Sequence, residues 1–259
     1  DKVFQSGSLV LSNEVTNFEN NFSRYTKNSF GVGVNSGTDA LKIAMMSIGI
    51  RKDDEIITVS HTAVPTVSAI VECNAKPVLI DVSKIEEKIN KKTKAIIPVN
   101  LYGQSADYEK INKIAKKFNL KVIEDCAQSA GSFYRGKPSG SHGDLAAFSF
   151  YPTKILGAYG DGGMVVTNNK NYFIRAKKLR KYGMSKLYYS EFHGVNSRLD
   201  EVQAAILNYQ LSKLDQNITK RRRIAKIYNE NINSDKLIKP IESKNNFHGY
   251  YVYVVRHPQ

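Results

Sequence analysis

AIIPVNLYGQSADYEKINKIAKKFNLKVIED, residues 95–125, reads as one strand–helix–strand unit. Ala95–Val99 is a short apolar run, and Tyr108–Phe118 has a helical pattern with Lys113, Lys116 and Lys117 on its polar face. Lys121–Glu124 is a second apolar run. A helix between two short apolar strands is the connection that a parallel pair requires. The alternation continues upstream: a strand at Gly31–Val34, a helix at Thr38–Ser47 with Leu41, Ala44, Met45 and Ile48 on one face, then strand Glu55–Val59, helix Val64–Glu72 and strand Pro77–Ile80. Downstream, strands Ala146–Phe150 and Met164–Thr167 flank a glycine-rich segment. The whole pattern predicts an α/β fold with a mainly parallel sheet covered by helices.

From Ser197 to Asn231 the spacing of Leu199, Val202, Ala205, Ile206 and Leu211 predicts one long helix. The chain then turns polar at Asn233, Ser234 and Asp235, and one more strand is predicted at Tyr250–Val255. A lone strand cannot bury its own faces. Residues 1–231 are therefore expected to form a large domain including the long connecting helix, and 232–259 the incomplete beginning of a second, small one.

With 259 residues, 41% of them hydrophobic, the chain can bury a substantial core. No apolar stretch is long enough for a membrane span, and no basic-then-apolar signal opens the sequence. The two cysteines, Cys73 and Cys126, lack metal-ligand spacing, so neither a metal site nor a disulfide framework is expected, and a reducing cytoplasm fits. The net charge of +14 is open to three readings: a lysine-rich solvated surface, attraction of an anionic ligand such as a diphosphate sugar, or nucleic-acid binding. No zinc-finger or RNA-binding signature supports the last, and neither nucleic acid nor membrane is expected as a partner.

Two motifs imitate nucleotide sites. Gly31-Val-Gly33-Val-Asn-Ser36 has Ser36 where a dinucleotide fingerprint needs its third glycine, and the first two glycines lie in the apolar run instead of the turn. Gly131-Ser-Phe-Tyr-Arg-Gly136-Lys137-Pro138 ends in proline where a P-loop needs a Ser or Thr hydroxyl.

Four segments combine into a different chemistry. Asn35-Ser36-Gly37-Thr38-Asp39-Ala40-Leu41 is a strand-to-helix junction whose capping residues and free N–H groups suit a phosphate. Glu124-Asp125-Cys126-Ala127-Gln128 puts carboxylates at the end of a buried strand, where open α/β sheets bind ligands. Phe148-Ser149-Phe150-Tyr151-Pro152-Thr153-Lys154 sets a lysine just beyond an apolar strand, ahead of Gly157, Gly160, Asp161, Gly162 and Gly163. A partly desolvated lysine loses proton affinity, and its neutral amine can attack an aldehyde. Ser149 and Thr153 offer hydroxyls to a phosphate. The fourth segment, Gly194-Val195-Asn196-Ser197-Arg198-Leu199-Asp200, opens the predicted long helix.

Together with SGSLVLSNEVTNFENNF near the start, GAYGDGG and NSRLDEVQAAIL, these segments resemble the DegT/StrS-type family of pyridoxal-phosphate-dependent sugar aminotransferases over almost the whole chain. The resemblance implies an aspartate-aminotransferase-type large domain followed by a small C-terminal α/β domain. It implies that Lys154 forms a Schiff base with pyridoxal 5′-phosphate, that Asp125 pairs with the pyridine nitrogen, and that Gln128 meets the ring's 3-oxygen. Gly37, Thr38 and Ser149 would hold the phosphate, and Asn196 would reach the phosphate of a neighbouring subunit's cofactor in a homodimer. Family members place an aromatic ring over the cofactor from the loop after the strand ending near Val59; here His61 is the ring available.

The activity implied is transfer of an amino group from a donor, glutamate, to a nucleotide-linked keto-sugar. The wording HTAVPTVSAI with FYPTKILGAYGDGG is most similar to members acting at C3 of a dTDP-3-keto-6-deoxyhexose. Amination at C4 of a UDP- or dTDP-4-keto sugar stands as an alternative, as does a non-catalytic sugar-nucleotide-binding regulator. Relatives that dehydrate deoxysugars carry histidine in place of the lysine, and Lys154 argues against that branch.

Overall fold

Every strand of the parallel unit keeps adjacent residues on opposite faces, and this two-residue period builds the molecule. The computed structural model describes residues 2–258. In chain order these form α1 (Lys2–Ser6), α2 (Asn13–Tyr25), β1 (Phe30–Val34), α3 (Gly37–Ile48), β2 (Glu55–Val59), α4 (Val64–Glu72), β3 (Lys76–Ile80), β4 (Thr93–Ile97), α5 (Tyr108–Lys117) and β5 (Lys121–Asp125). There follow β6 (Phe133–Tyr134), β7 (Lys137–Pro138), β8 (Leu145–Ser149), β9 (Gly163–Thr167), α6 (Lys170–Leu179), β10 (Met184–Lys186), β11 (Tyr189–Ser190), α7 (Glu201–Leu211), α8 (Leu214–Asn231) and β12 (Asn246–Phe247).

Seven strands pair in the order β1-β9-β8-β5-β4-β2-β3. β9 is antiparallel to both of its neighbours, and the other pairings are parallel. Ile123, Ala147 and Val165 point to one face, where Leu41, Met45, Ile70 and Leu179 from α3, α4 and α6 cover them. Ala146, Phe148, Met164 and Val166 point to the other, onto Phe18, Phe22, Leu207 and Ile218 from α2, α7 and α8. Burial on both faces explains why the strands read as continuous apolar runs.

Two expectations fail here. The long helix over Ser197–Asn231 begins at Glu201 and is two helices, α7 and α8, separated at Ser212 and Lys213. The Ser212 hydroxyl bonds back to the Tyr209 carbonyl at 2.7 Å, and Leu214 restarts the helix fully buried in the core. The strand at Tyr250–Val255 does not form. Tyr250 takes φ 47°, and Arg221 Nη1 donates to the carbonyls of Tyr250 and Tyr251, so no strand pairs there. The last strand lies earlier: β12 pairs with β6, extending the β6–β7 hairpin to three strands. That hairpin is also what the P-loop imitation becomes, with no helix after it. Among the described residues, no helix is long and apolar enough to cross a membrane.

Candidate active site

The carboxyl ends of β1, β2, β4, β5 and β8 converge on a cavity of about 260 Å³. It is lined by Ser36, Gly37 and Thr38 beyond β1, Thr62 and Thr66 beyond β2, Asp125 and Gln128 from β5, and Ser149 and Lys154 from β8. Larger clefts lie elsewhere, including one of about 660 Å³ between α2 and α6. The smaller cavity collects a buried carboxylate, an amine and a helix start where the carboxyl ends of five strands meet, the edge at which open parallel sheets bind ligands.

The helix start is α3. The Ser36 side chain accepts from the Asp39 N–H at 3.1 Å, and the first N–H groups of the helix have no partner one turn back. They face the cavity beside Ser149. Gly37 permits that approach: a Cβ there would stand 2.5 Å from Ser149 Cβ.

At the end of β5 the two-residue period separates the two carboxylates. Glu124 turns away and accepts backbone N–H groups from Gly140, His142 and Gly143 at 2.9, 2.5 and 2.8 Å, fixing the loop before β8. Asp125 turns into the cavity. Its Oδ2 accepts the Thr66 hydroxyl at 2.8 Å and its Oδ1 the Ala127 N–H at 3.1 Å. Burial pushes the Asp125 pKa up; the hydrogen bonds from Thr66 and Ala127 and the charge of Lys154 pull the other way.

Lys154 follows the β8 end in a turn closed by its N–H on the Tyr151 carbonyl. Its Nζ lies 4.7 Å from the centre of the Tyr251 ring, and the Tyr251 hydroxyl is 3.3 Å from that of Thr153. Gln128 presents its Oε1 to the Tyr102 N–H at 2.7 Å, which leaves its NH2 group as the amide's free end.

Of the residues singled out in the sequence, Gly37, Thr38, Asp125, Gln128, Ser149 and Lys154 share the cavity. His61 stands on the exposed rim, its Nε2 2.7 Å from the Tyr102 hydroxyl, and does not line the cavity itself. Asn196 is exposed and bridges to Lys181, apart from the cavity. Thr66, Tyr102 and Tyr251 escaped the sequence reading. They lie 59, 26 and 98 positions from the residues they contact, and no local pattern carries pairings of that span.

The chain matches the DegT/DnrJ/EryC1/StrS aminotransferase family over residues 1–259. It is 47% identical to the dTDP-3-amino-3,4,6-trideoxy-alpha-D-glucose transaminase of Micromonospora megalomicea subsp. nigra, an alignment that covers all of this chain and 73% of that protein. It is also 47% identical to the dTDP-3-amino-3,6-dideoxy-alpha-D-galactopyranose transaminase of Aneurinibacillus thermoaerophilus, across 99% of this chain and 73% of the relative. Its fold superposes on the crystal structure of S. venezuelae DesV in complex with a ketimine intermediate with a TM-score of 0.97 and 37% identity, covering 99% of this chain and 72% of that one. The chain therefore belongs to the DegT/DnrJ/EryC1/StrS aminotransferase family, whose enzymes work with pyridoxal 5′-phosphate.

Proposed function

We propose that this enzyme moves an amino group from glutamate to a keto-sugar carried on a nucleotide, at C3 of a dTDP-3-keto-6-deoxyhexose. One observation carries the reading: a buried carboxylate, an amine and a helix start line one cavity at the parallel strand ends. That set matches the three ends of pyridoxal 5′-phosphate. The glycine-lined start of α3 with Ser149 suits a phosphate, Asp125 suits a protonated ring nitrogen, and Lys154 suits an aldehyde carbon. The position on the sugar rests on the 3-amino-sugar names of the two relatives at 47% identity.

The bound cofactor supplies a ring that takes up the electron pair released at the substrate carbon. Asp125 keeps a proton on the ring nitrogen, and Thr66 and the Ala127 N–H hold its carboxylate in register for that contact. Its raised pKa comes from burial, and a pyridinium beside it would favour the charged carboxylate. Gln128 donates from its NH2 group to the ring's 3-oxygen, because its carbonyl is engaged by Tyr102. Lys154 holds the cofactor covalently at rest. Once freed, its Nζ would act as the base toward the α-carbon of the amino donor and as the acid toward the keto-sugar carbon. Asn196, exposed and outside its own chain's cavity, is assigned to the phosphate of a second subunit's cofactor in a homodimer, and His61 to the ring face.

Lys154→Ala is expected to lower turnover by about a thousandfold or more and to abolish the visible band of covalently held cofactor; a variant that keeps both overturns the assignment. Product mass and ring position after incubation with a panel of keto-sugar nucleotides and labelled glutamate test the acceptor, and amination at C4 alone would replace C3.

A further inference from the structure

Tyr102 holds a backbone conformation that bulky L residues rarely adopt, with φ 61° and ψ 5°, directly beside the candidate site. The turn that imposes it is anchored on both sides. Before it, Asn100 is fully buried: its N–H donates to the Asp125 carbonyl, and its side chain bonds Ser139, the Ala106 N–H and the Tyr108 hydroxyl. After it, the Gly103 carbonyl accepts from Gly249 N–H and the Ser132 hydroxyl, and Gly103 itself has φ 102° with no room for a Cβ against the backbone of Tyr250 and Tyr251. A strained residue kept in place by its surroundings points to a task for that geometry.

We propose that Tyr102 is a positioning residue that sets two cofactor contacts at once: its N–H fixes the Gln128 amide with the NH2 group toward the cavity, and its phenol pins the far nitrogen of His61. The inference rests on reading Gln128 and His61 as cofactor contacts. Without the N–H at 2.7 Å from Gln128 Oε1, the amide could present either end to the ring oxygen, and only the NH2 end is a donor. The phenol oxygen lies 2.7 Å from His61 Nε2, with the rings edge-on at 88°. His61 is otherwise exposed on the cavity rim, so this contact is what orients its ring.

The two halves separate experimentally. Tyr102→Phe removes the hydroxyl, and Tyr102→Gly removes the ring while keeping the N–H and easing the positive φ. Equilibrium dialysis of pyridoxal 5′-phosphate should show its Kd raised about threefold to tenfold by Tyr102→Phe, by about as much in Tyr102→Gly, and no further when Tyr102→Phe is added to His61→Ala. The pH midpoint of the bound cofactor's visible absorbance should stay at the wild-type value in Tyr102→Gly and move in Gln128→Ala. A wild-type Kd in Tyr102→Phe beside a weakened His61→Ala, or effects that multiply in the double variant, overturns the phenol half. A midpoint displaced in Tyr102→Gly overturns the N–H half. A wild-type Kd in His61→Ala, or an unmoved midpoint in Gln128→Ala, removes the underlying contact and the corresponding half together.

Discussion

Asp125 and its neighbour Glu124 are chemically almost the same group, yet one serves the cavity and the other a loop. Burial raises the Asp125 pKa in the folded chain, so the native state binds that proton more tightly than the unfolded state does. The contribution of this carboxyl to stability is therefore present below its unfolded pKa and lost as pH rises through its folded one. Asp125→Asn removes the ionisable group, keeping an oxygen for the Thr66 hydroxyl. In thermal melts without cofactor, the variant should equal or exceed wild type at pH 8, and the difference should close toward pH 4. Turnover should fall on the order of a hundredfold or more, because the proposed counter-ion of the ring nitrogen is lost. A variant that melts below wild type by the same margin at both pH values would refute this account. The sequence placed both carboxylates at a strand end, and family resemblance singled out Asp125 as the proposed partner of the cofactor's ring nitrogen. Thr66, which holds that carboxylate, was invisible because it arrives from α4 through the tertiary fold.

At the level of elements, the site depends on how closely the start of α3 approaches the end of β8. Gly37 sets that distance, since a methyl group there would stand 2.5 Å from Ser149 Cβ and 3.1 Å from Ser149 Cα. Gly37→Ala must push the helix start off the strand, at a cost of about 1–3 kcal/mol for overpacking. The displaced N–H groups should weaken pyridoxal-phosphate binding by about tenfold or more, as equilibrium dialysis would show; retained affinity would mean that the phosphate sits elsewhere. The parallel unit over 95–125 and the strand ends around it were readable because each has one local period. The break between α7 and α8 was not, since Leu211 and Leu214 keep helical spacing across it. Residues 250–255 have the composition of a strand, but strand formation also needs a neighbour, and Arg221 occupies the carbonyls that a neighbour would use.

Across the whole molecule, a charged latch is among the ties that hold the segment after α8 to the α/β body, beside the β12–β6 pairing and the Arg221 contacts. Arg222 on α8 bonds Glu242 at 2.8 Å and the His248 carbonyl at 2.8 Å, while Glu242 also accepts the His248 N–H. His248 is buried, stacks on Tyr250 at 4.0 Å, and accepts the Tyr250 N–H on Nδ1. Desolvation, with the Arg222 charge reinforcing it against the opposing pull of Glu242, lowers the His248 pKa from 6.5 to about 4. Between those values the unfolded segment binds the proton and the folded one does not, so the latch is at full strength above pH 6.5 and weakens as pH falls toward 4. Glu242 acts in the same direction: its pKa is held down by Arg222 and the His248 N–H against its own desolvation, and its contribution fades as acid protonates it. Hydrogen exchange should therefore show the amides of residues 246–251 losing protection across this window while β5 and β8 remain protected. Because Gly249 donates to Gly103 and the Tyr251 ring covers Lys154, the same acid step should expose the lysine side of the cavity. His248→Asn keeps an acceptor for the Tyr250 N–H without a titrating ring, and should flatten the response above pH 5. An unaltered pH response in that variant would assign the latch to Glu242 alone, and uniform loss of protection in the segment and the sheet would show that no separate latch exists.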